Sequence, residues 1–279
     1  MGIDIHALNF IKYVSKKKRL GRVATIGRHA LMIPRARAEF GPFCEEFLTK
    51  RFDAKLVDSY DYSNYEGATY VVDMNKPVVP EKEYDTIINC GCVEHVYDVP
   101  QALRNISLLC VSGGQIIHVL PANNFCGHGF WQFSPELFFS LYSEANGYSE
   151  TEVFLADLRK QSVWFEVRQP TNGKRAEVTS RSPLYVMCRT IKTSDFSHEN
   201  VQQSDYVHIW GLDSHTSRNQ NEIIGAVKGI IKKNPWLYRL ALSAHGTIQG
   251  AIRGMKNPTK LSNRNRHLRK HNVSELLAS

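Results

Sequence analysis

The chain of 279 residues has no apolar run of 18 residues or more, so no transmembrane helix is expected. Its first residues, MGIDIHALNFIKYVSKKKR, carry their positive charges after the apolar part, the reverse of a secretory signal. Met1-Gly2 is followed at position 6 by His6 and not by Ser or Thr, so an N-myristoyl site is not expected either. No G-x-G-x-x-G follows the first strand-like run, which argues against a nicotinamide-dependent oxidoreductase. Cysteine is scarce and scattered (Cys44, Cys90, Cys92, Cys110, Cys126, Cys188), and the pair Cys90 and Cys92 lacks zinc spacing. Reduced thiols and a cytoplasmic protein are expected. There is no internal repeat.

What is present is ordinary for a globular chain: 42% hydrophobic and 22% charged residues, enough to bury a large core. The net charge of +8 is uneven. Residues 214–279 hold twelve Lys/Arg against two Asp/Glu (+10), and the rest holds 23 against 25 (−2). Basic character thus belongs to the C-terminal segment. The expected division is a domain over 1–192, a polar linker over 193–219 and a basic helical segment over 220–279. That last segment alternates apolar residues with Lys228, Lys232 and Lys233. It is read as a solvated or disordered tail, an oligomer contact, a lid, or a helix lying on a membrane surface. A nucleic-acid partner is not expected, because the basic run at Arg264, Arg266, Arg269 and Lys270 lacks a recognisable module.

Strand and helix patterns alternate through the first 150 residues. A helix is expected over 4–18, strands at 22–26, 55–58 and 68–72, and a helix over 38–52. A strand, helix, strand unit spans 84–120, with the helix over 98–110 and Gly113-Gly114 as a turn. Ser134-Pro135-Glu136 starts another helix. Two last strands, 151–158 and 184–191, flank a polar stretch with a turn at Asn172-Gly173. The alternation predicts an α/β fold: a Rossmann-like doubly wound, mostly parallel sheet with an antiparallel edge strand. Ligands of such sheets bind beyond the carboxyl ends of the strands, here around 89–95 and 121–133.

The block from Tyr84 to Phe133 holds the most specific pattern, with Glu94-His95-Val96, Gly113-Gly114, Pro121 and Gly127-His128-Gly129-Phe130 in order. It resembles class I S-adenosylmethionine-dependent methyltransferases, closest to bacterial small-molecule and sugar-type members, over about residues 20–192. The resemblance implies S-adenosylmethionine as cofactor. It also implies a nucleoside site at Gly27 and Arg28 (one glycine where the family has three), Asp61 and Tyr62, Asp73 and Met74, and Asn89-Cys90-Gly91. Asp61 would accept the ribose hydroxyls, with Asp58 its rival, and Asp73 would reach the adenine amino group. Glu94-His95 stands where some quinone-type members carry Glu-x-x-Glu-His at a metal site. Gly91 replaces the first Glu, so no metal is expected.

The loop over 123–133 is the expected acceptor site. It combines three amides, a His between glycines, and four aromatics, the mixture that grips a polar ring. Asn123, Asn124, His128, Phe130 and Gln132 are the candidate contacts. His128 is the candidate general base and His95 its rival, since an imidazole titrates near neutral pH. The expected function is methyl transfer to an oxygen or nitrogen of a small polar acceptor, such as a sugar or glycoconjugate precursor. The alternative is a catalytically inactive methyltransferase-like binding or scaffold protein.

Overall fold

The computed structural model describes residues 2–199, 201–213, 236 and 259–279. A short strand β1 (Gly2–Ile3) precedes helix α1 (Ile5–Lys17), whose first turn is capped by Asp4 accepting from the Ala7 N–H at 2.9 Å. Strand β2 (Arg22–Ile26) leads to β3 (Ala30–Leu31), which pairs with β1. The single helix expected over 38–52 is two helices, α2 (Pro34–Phe40) and α3 (Cys44–Phe52). Gly41 at φ +84° and Pro42 break them, because neither residue continues a helix.

Strands β4 (Leu56–Asp61), β5 (Tyr70–Val71) and β6 (Tyr84–Cys90) follow, then helix α4 (Val99–Leu109) and the long β7 (Cys110–Pro121). Helix α5 (Pro135–Leu141) starts at the expected place, with the Ser134 hydroxyl accepting from the Glu136 N–H. Strands β8 (Tyr148–Asp157), β9 (Val163–Val167) and β10 (Leu184–Lys192), helix α6 (Ser204–Asp213), strand β11 (Leu268–Asn272) and helix α7 (Val273–Leu276) follow.

Nine strands form one sheet in the order β11-β9-β8-β10-β7-β6-β2-β4-β5. From β5 to β7 every pairing is parallel; from β7 to β11 every pairing is antiparallel. The fold is Rossmann-like. The antiparallel strand β10 lies inside the sheet, between β7 and β8, and not at its edge. The β8–β9 hairpin leaves a gap beside β7, and the chain returns through 168–183 to fill it.

The central strands read as continuous apolar runs because both sheet faces are covered. Ile87 and Ile116 join one core with α4 and α5, while their neighbours Ile88 and Ile117 join the other with α1 and α3. Trp164, fully buried in the second core, packs edge-on against Phe10 and Tyr13 of α1.

The expected division at 192 is not what the described residues show. Thr193 donates to the Gly147 carbonyl and Ser197 to that of Asn146, so 193–197 is packed onto the domain. Leu268–Asn272 is a strand of the sheet and not part of a basic helix; Leu268 and Val273 are 4% and 3% exposed. Burial of these apolar anchors outweighs the basic surroundings, which stay at the surface. The remainder of the expected helical tail, 220–235 and 237–258, lies outside the described residues. Among the described residues no helix is long and apolar enough to cross a membrane.

Two fully buried histidines make the fold acid-sensitive. Burial lowers His29 to about 4 and His118 to about 3, below the ordinary 6.5. The unfolded chain therefore takes up protons that the folded chain refuses. This stabilisation is complete above pH 6.5 and drains away as the pH falls from 6.5 toward 4 and 3. The melting temperature is expected to drop by about 5 °C or more between pH 7 and pH 5. A flat profile across that range would contradict neutral, buried rings.

Candidate active site

The five parallel strands share one carboxyl edge, so the loops after β2, β4, β5, β6 and β7 line it together. The strand order reverses between β2 and β6, since β4 and β5 extend to one side and β7 to the other. Ligands of open α/β sheets bind at such a reversal. Gly27 follows β2 at φ +82° and Gly91 follows β6 at φ +80°, both left-handed positions that favour glycine. Between them lies His29, whose Nε2 approaches the Cys90 N–H at 3.2 Å and the Ile88 carbonyl at 3.3 Å. His29 was not a sequence candidate, and no motif announces it.

The Gly27 N–H donates to the Tyr60 carbonyl, and the Arg28 N–H donates to Asp61 Oδ2 at 2.9 Å. The β2 turn is thus bound to the end of β4, with Asp61 as its acceptor. The Arg28 guanidinium pairs with Glu45 at 2.7 Å, donates to the carbonyls of Glu66 and Gly67, and stacks 4.0 Å over Phe43. Tyr62 is exposed. Asp58, the rival of Asp61, is buried and accepts from the Tyr84 hydroxyl and Lys82, so it serves the core. Asp73 accepts from the backbone and side-chain amides of Asn75, and those hydrogen bonds hold its carboxyl below the usual range. Met74 is buried in the core.

Asn89 is fully buried. Its Nδ2 donates to His118 Nδ1 at 2.9 Å, and its Oδ1 accepts from the Cys92 N–H. With Nδ1 accepting, His118 Nε2 donates to the Tyr142 hydroxyl at 2.7 Å. This chain sets the shape of the turn after β6, so Asn89 holds the loop from beneath. Burial raises the Cys90 thiol well above its ordinary value.

After that turn, a 3-10 turn (Val93–His95) presents Glu94 and His95. The loop after β7 docks onto it. Phe130 and Trp131 donate their N–H groups to the Glu94 carbonyl at 2.7 and 3.3 Å, and the Trp131 indole donates to the Val96 carbonyl at 3.0 Å. Gly129 makes the approach feasible: at φ +71°, a Cβ there would sit 2.7 Å from the Glu94 oxygen.

Docking brings His128 to Glu94. The His128 Nε2 lies 3.6 Å and the His95 Nε2 3.9 Å from Glu94 Oε1, and the two imidazole centroids are 5.1 Å apart. Both rings are about half exposed, while the Glu94 side chain is 1% exposed. Its Oε2 is buried with no hydrogen-bond partner, and burial pushes the carboxyl up to about 7. Burial and the neighbouring His128 lower His95.

The 123–133 loop, the expected acceptor site, engages its side chains as follows. Asn123 donates to the Val178 carbonyl, and Asn124 to the carbonyls of Ser180 and Ser182 and the Ser180 hydroxyl. Gln132 accepts from the Phe125 N–H. These three amides tie the loop to itself and to the residues before β10. His128 and Phe130 remain free to meet a ligand; Phe130 is exposed and edge-on to Tyr97. Phe125 stacks on Tyr185 at 5.6 Å and lies 5.7 Å from His128, an aromatic wall the sequence did not indicate because Tyr185 comes from β10. The sequence sets Glu94 only beside His95, in a pattern from which no metal is expected, and gives it no role of its own. The signal that could have raised it was a carboxylate next to one His, with a second His between glycines in the next βα loop.

No protein-family model matches the chain, and no curated protein matches it. Solved structures do. A S-adenosylmethionine-dependent methyltransferase from Thermotoga maritima aligns at TM-score 0.39 and 15% identity, over 68% of this chain and 92% of that one. The N-methyltransferase NodS from Bradyrhizobium japonicum WM9 aligns at 0.42 and 11%, over 68% and 94%. An O-methyltransferase from a Brevibacillus brevis trans-AT multienzyme, solved with S-adenosyl-L-homocysteine, aligns at 0.41 and 9%, over 72% and 77%. The likeness is one of fold.

Proposed function

We propose that the protein is a S-adenosylmethionine-dependent methyltransferase acting on an oxygen or nitrogen of a small polar acceptor, with a hydroxylated ring such as a sugar as the class. The observation that carries this reading is the convergence at one sheet edge. The reversal-point turns at Gly27 and Asn89-Cys90-Gly91, the carboxylate of Asp61, and the Glu94–His95–His128 cluster all lie beyond the same parallel strands. The block from Tyr84 to Phe133, similar in sequence to this class of enzyme, supplies two of these loops.

The cofactor would lie across the reversal point. Backbone at Gly27 and Arg28 comes close to its amino-acid part, and Gly91 lets the β6 loop pass beside the sulfur. Asp61 uses one oxygen for Arg28, and a carboxylate has lone pairs left for ribose hydroxyls. Tyr62, Asp73 and Met74 border the adenine end. The sulfonium is already activated, so the chain's tasks are in-line positioning and removal of the acceptor's proton. As the new bond to the methyl carbon forms, the carbon–sulfur pair returns to sulfur and the acceptor loses its proton. The acceptor would sit over the Glu94–His95–His128 cluster against Phe130 and the Phe125–Tyr185 wall. Because the structure brings both imidazoles to one carboxylate, His95 and His128 act as a unit and not as rivals.

Calorimetry with S-adenosylhomocysteine tests the reading. Wild type should bind, and Asp61→Ala should bind about tenfold or more weakly, since hydrogen bonds to charged groups are worth about 1.5–3 kcal/mol. Equal affinity in a folded Asp61→Ala protein would remove Asp61 from the site. No binding by wild type would favour the scaffold reading, which the hydrogen bonds of Asn123, Asn124 and Gln132 to protein partners also suit.

A further inference from the structure

Glu94, His95 and His128 form a grouping whose chemistry is that of a metal centre. They offer one carboxylate oxygen and two imidazole nitrogens, all within 4.8 Å of one another. Three ligands of a cation at bond lengths of about 2.0–2.2 Å stand roughly 3.0–3.6 Å apart. The observed 3.6 and 3.9 Å separations from Glu94 Oε1 are close to that range. Closing the remainder needs only small rotations of two half-exposed rings.

A second, independent feature points the same way. Glu94 is 1% exposed, and its Oε2 has no hydrogen-bond partner. A buried carboxylate without a partner is costly. Among the described residues no Lys or Arg forms an ion pair with Glu94; the side chains in ion-pair range of its carboxylate are the two imidazoles. The backbone that carries the side chain is held by the opposite loop, since the Glu94 carbonyl receives two N–H donors. The two half-exposed imidazoles approach its Oε1 at 3.6 and 3.9 Å.

We propose that Glu94, His95 and His128 bind one divalent transition-series cation, with the remaining coordination positions open to the acceptor's oxygen. The inference rests on the methyltransferase reading for the acceptor, but not for the cation. Two imidazoles and one carboxylate suit Zn²⁺, Fe²⁺ or Co²⁺ over Mg²⁺ or Ca²⁺, which favour all-oxygen sets. Three protein ligands leave at least one position for another molecule. A hydroxyl bound there becomes more acidic, as metal-bound water does. Its proton leaves to solvent, its oxygen takes the methyl group, and the carbon–sulfur pair stays on the thioether product. His95 and His128 then act as ligands, which accounts for two histidines meeting one carboxylate where a single base would need one. The expectation of no metal relied on Gly91 replacing a glutamate. His128, thirty-odd residues away in sequence, supplies the missing third ligand.

The test is titration of metal-stripped full-length protein with Zn²⁺ and, separately, Mg²⁺ by calorimetry, together with the absorption spectrum after Co²⁺ loading. One Zn²⁺ per chain is expected, with Mg²⁺ much weaker. Glu94→Gln and His128→Ala should each weaken Zn²⁺ by about 100-fold or more, since losing even an outer partner of a ligand costs about 10–100-fold. S-adenosylhomocysteine affinity in both variants should match wild type, which also shows that they fold. The Co²⁺ spectrum should lack a thiolate charge-transfer band, because the cluster contains no cysteine. No saturable one-to-one binding, unchanged affinity in the variants, or a thiolate band would overturn the proposal. Zn²⁺ binding without S-adenosylhomocysteine binding would sustain the cation site and sink the methyltransferase reading. The reverse result would do the opposite.

Discussion

His128→Ala is expected to lower methyl-transfer turnover by about 10²–10⁴-fold, the usual contribution of a group that manages a proton at the reacting atom. Affinity for S-adenosylhomocysteine should stay within about twofold, because the cofactor turns lie after β2, β4 and β6 and do not contain His128. His95→Ala should show a loss of similar size, since both rings meet the same Glu94 oxygen at 3.6 and 3.9 Å. The double variant should be little worse than either single one, because groups that act as a unit are strongly non-additive. Steady-state rates with a labelled methyl donor would settle this. Turnover that survives loss of either ring would show that the cluster only shapes the pocket.

The second large effect concerns the far edge of the sheet. Removing residues 268–279 should leave a chain that is insoluble or melts without cooperativity. β11 pairs with β9 over five residues, from Leu268 opposite Val167 to Asn272 opposite Val163. Its loss strips Leu268 and Val273 from the two cores and bares the β9 edge beside Trp164. Full burial of one such side chain contributes about 1.5–3 kcal/mol, and a whole domain is stable by only about 5–15 kcal/mol. Leu268→Ala is the milder variant, expected to cost about 2–5 kcal/mol while the fold persists. A truncated chain that melts cooperatively within a few degrees of the intact one would show that β11 is dispensable.

Much of the parallel half was legible from local pattern. The strand, helix, strand unit over 84–120 announces itself by an apolar run, a 3.6-residue period and a glycine turn, and it folds as β6, α4 and β7. The helix at Ser134-Pro135 is equally local, since one hydroxyl caps it. The antiparallel half was less so. The position of β10 between β7 and β8 depends on pairing across many residues, and no short window records that. β11 was hidden for another reason: Leu268-Arg-Lys-His-Asn reads as a basic run, and only its first residue is buried. The site shows the same divide. The two loops of the candidate site were identifiable by composition. That Asn123 and Asn124 bond to the carbonyls of Val178, Ser180 and Ser182 depends on a distant segment packing on the loop, and that Glu94 is the common partner of two histidines depends on two loops docking through Gly129.

The edge strand also has a bearing on how the chain comes to be folded. β9 ends at Val167 and its partner begins at Leu268, so about a hundred residues must be made before β9 acquires its neighbour. Closing a loop of that length is slow relative to a hairpin. During synthesis, when about 200 residues have emerged, eight strands can already have assembled with a hydrophobic edge uncovered. A naked edge of this kind is a template for wrong pairing with another copy. The most vulnerable interval is therefore the one between the emergence of β10 and that of β11, and slowing the ribosome there should raise aggregation more than slowing it between β2 and β7.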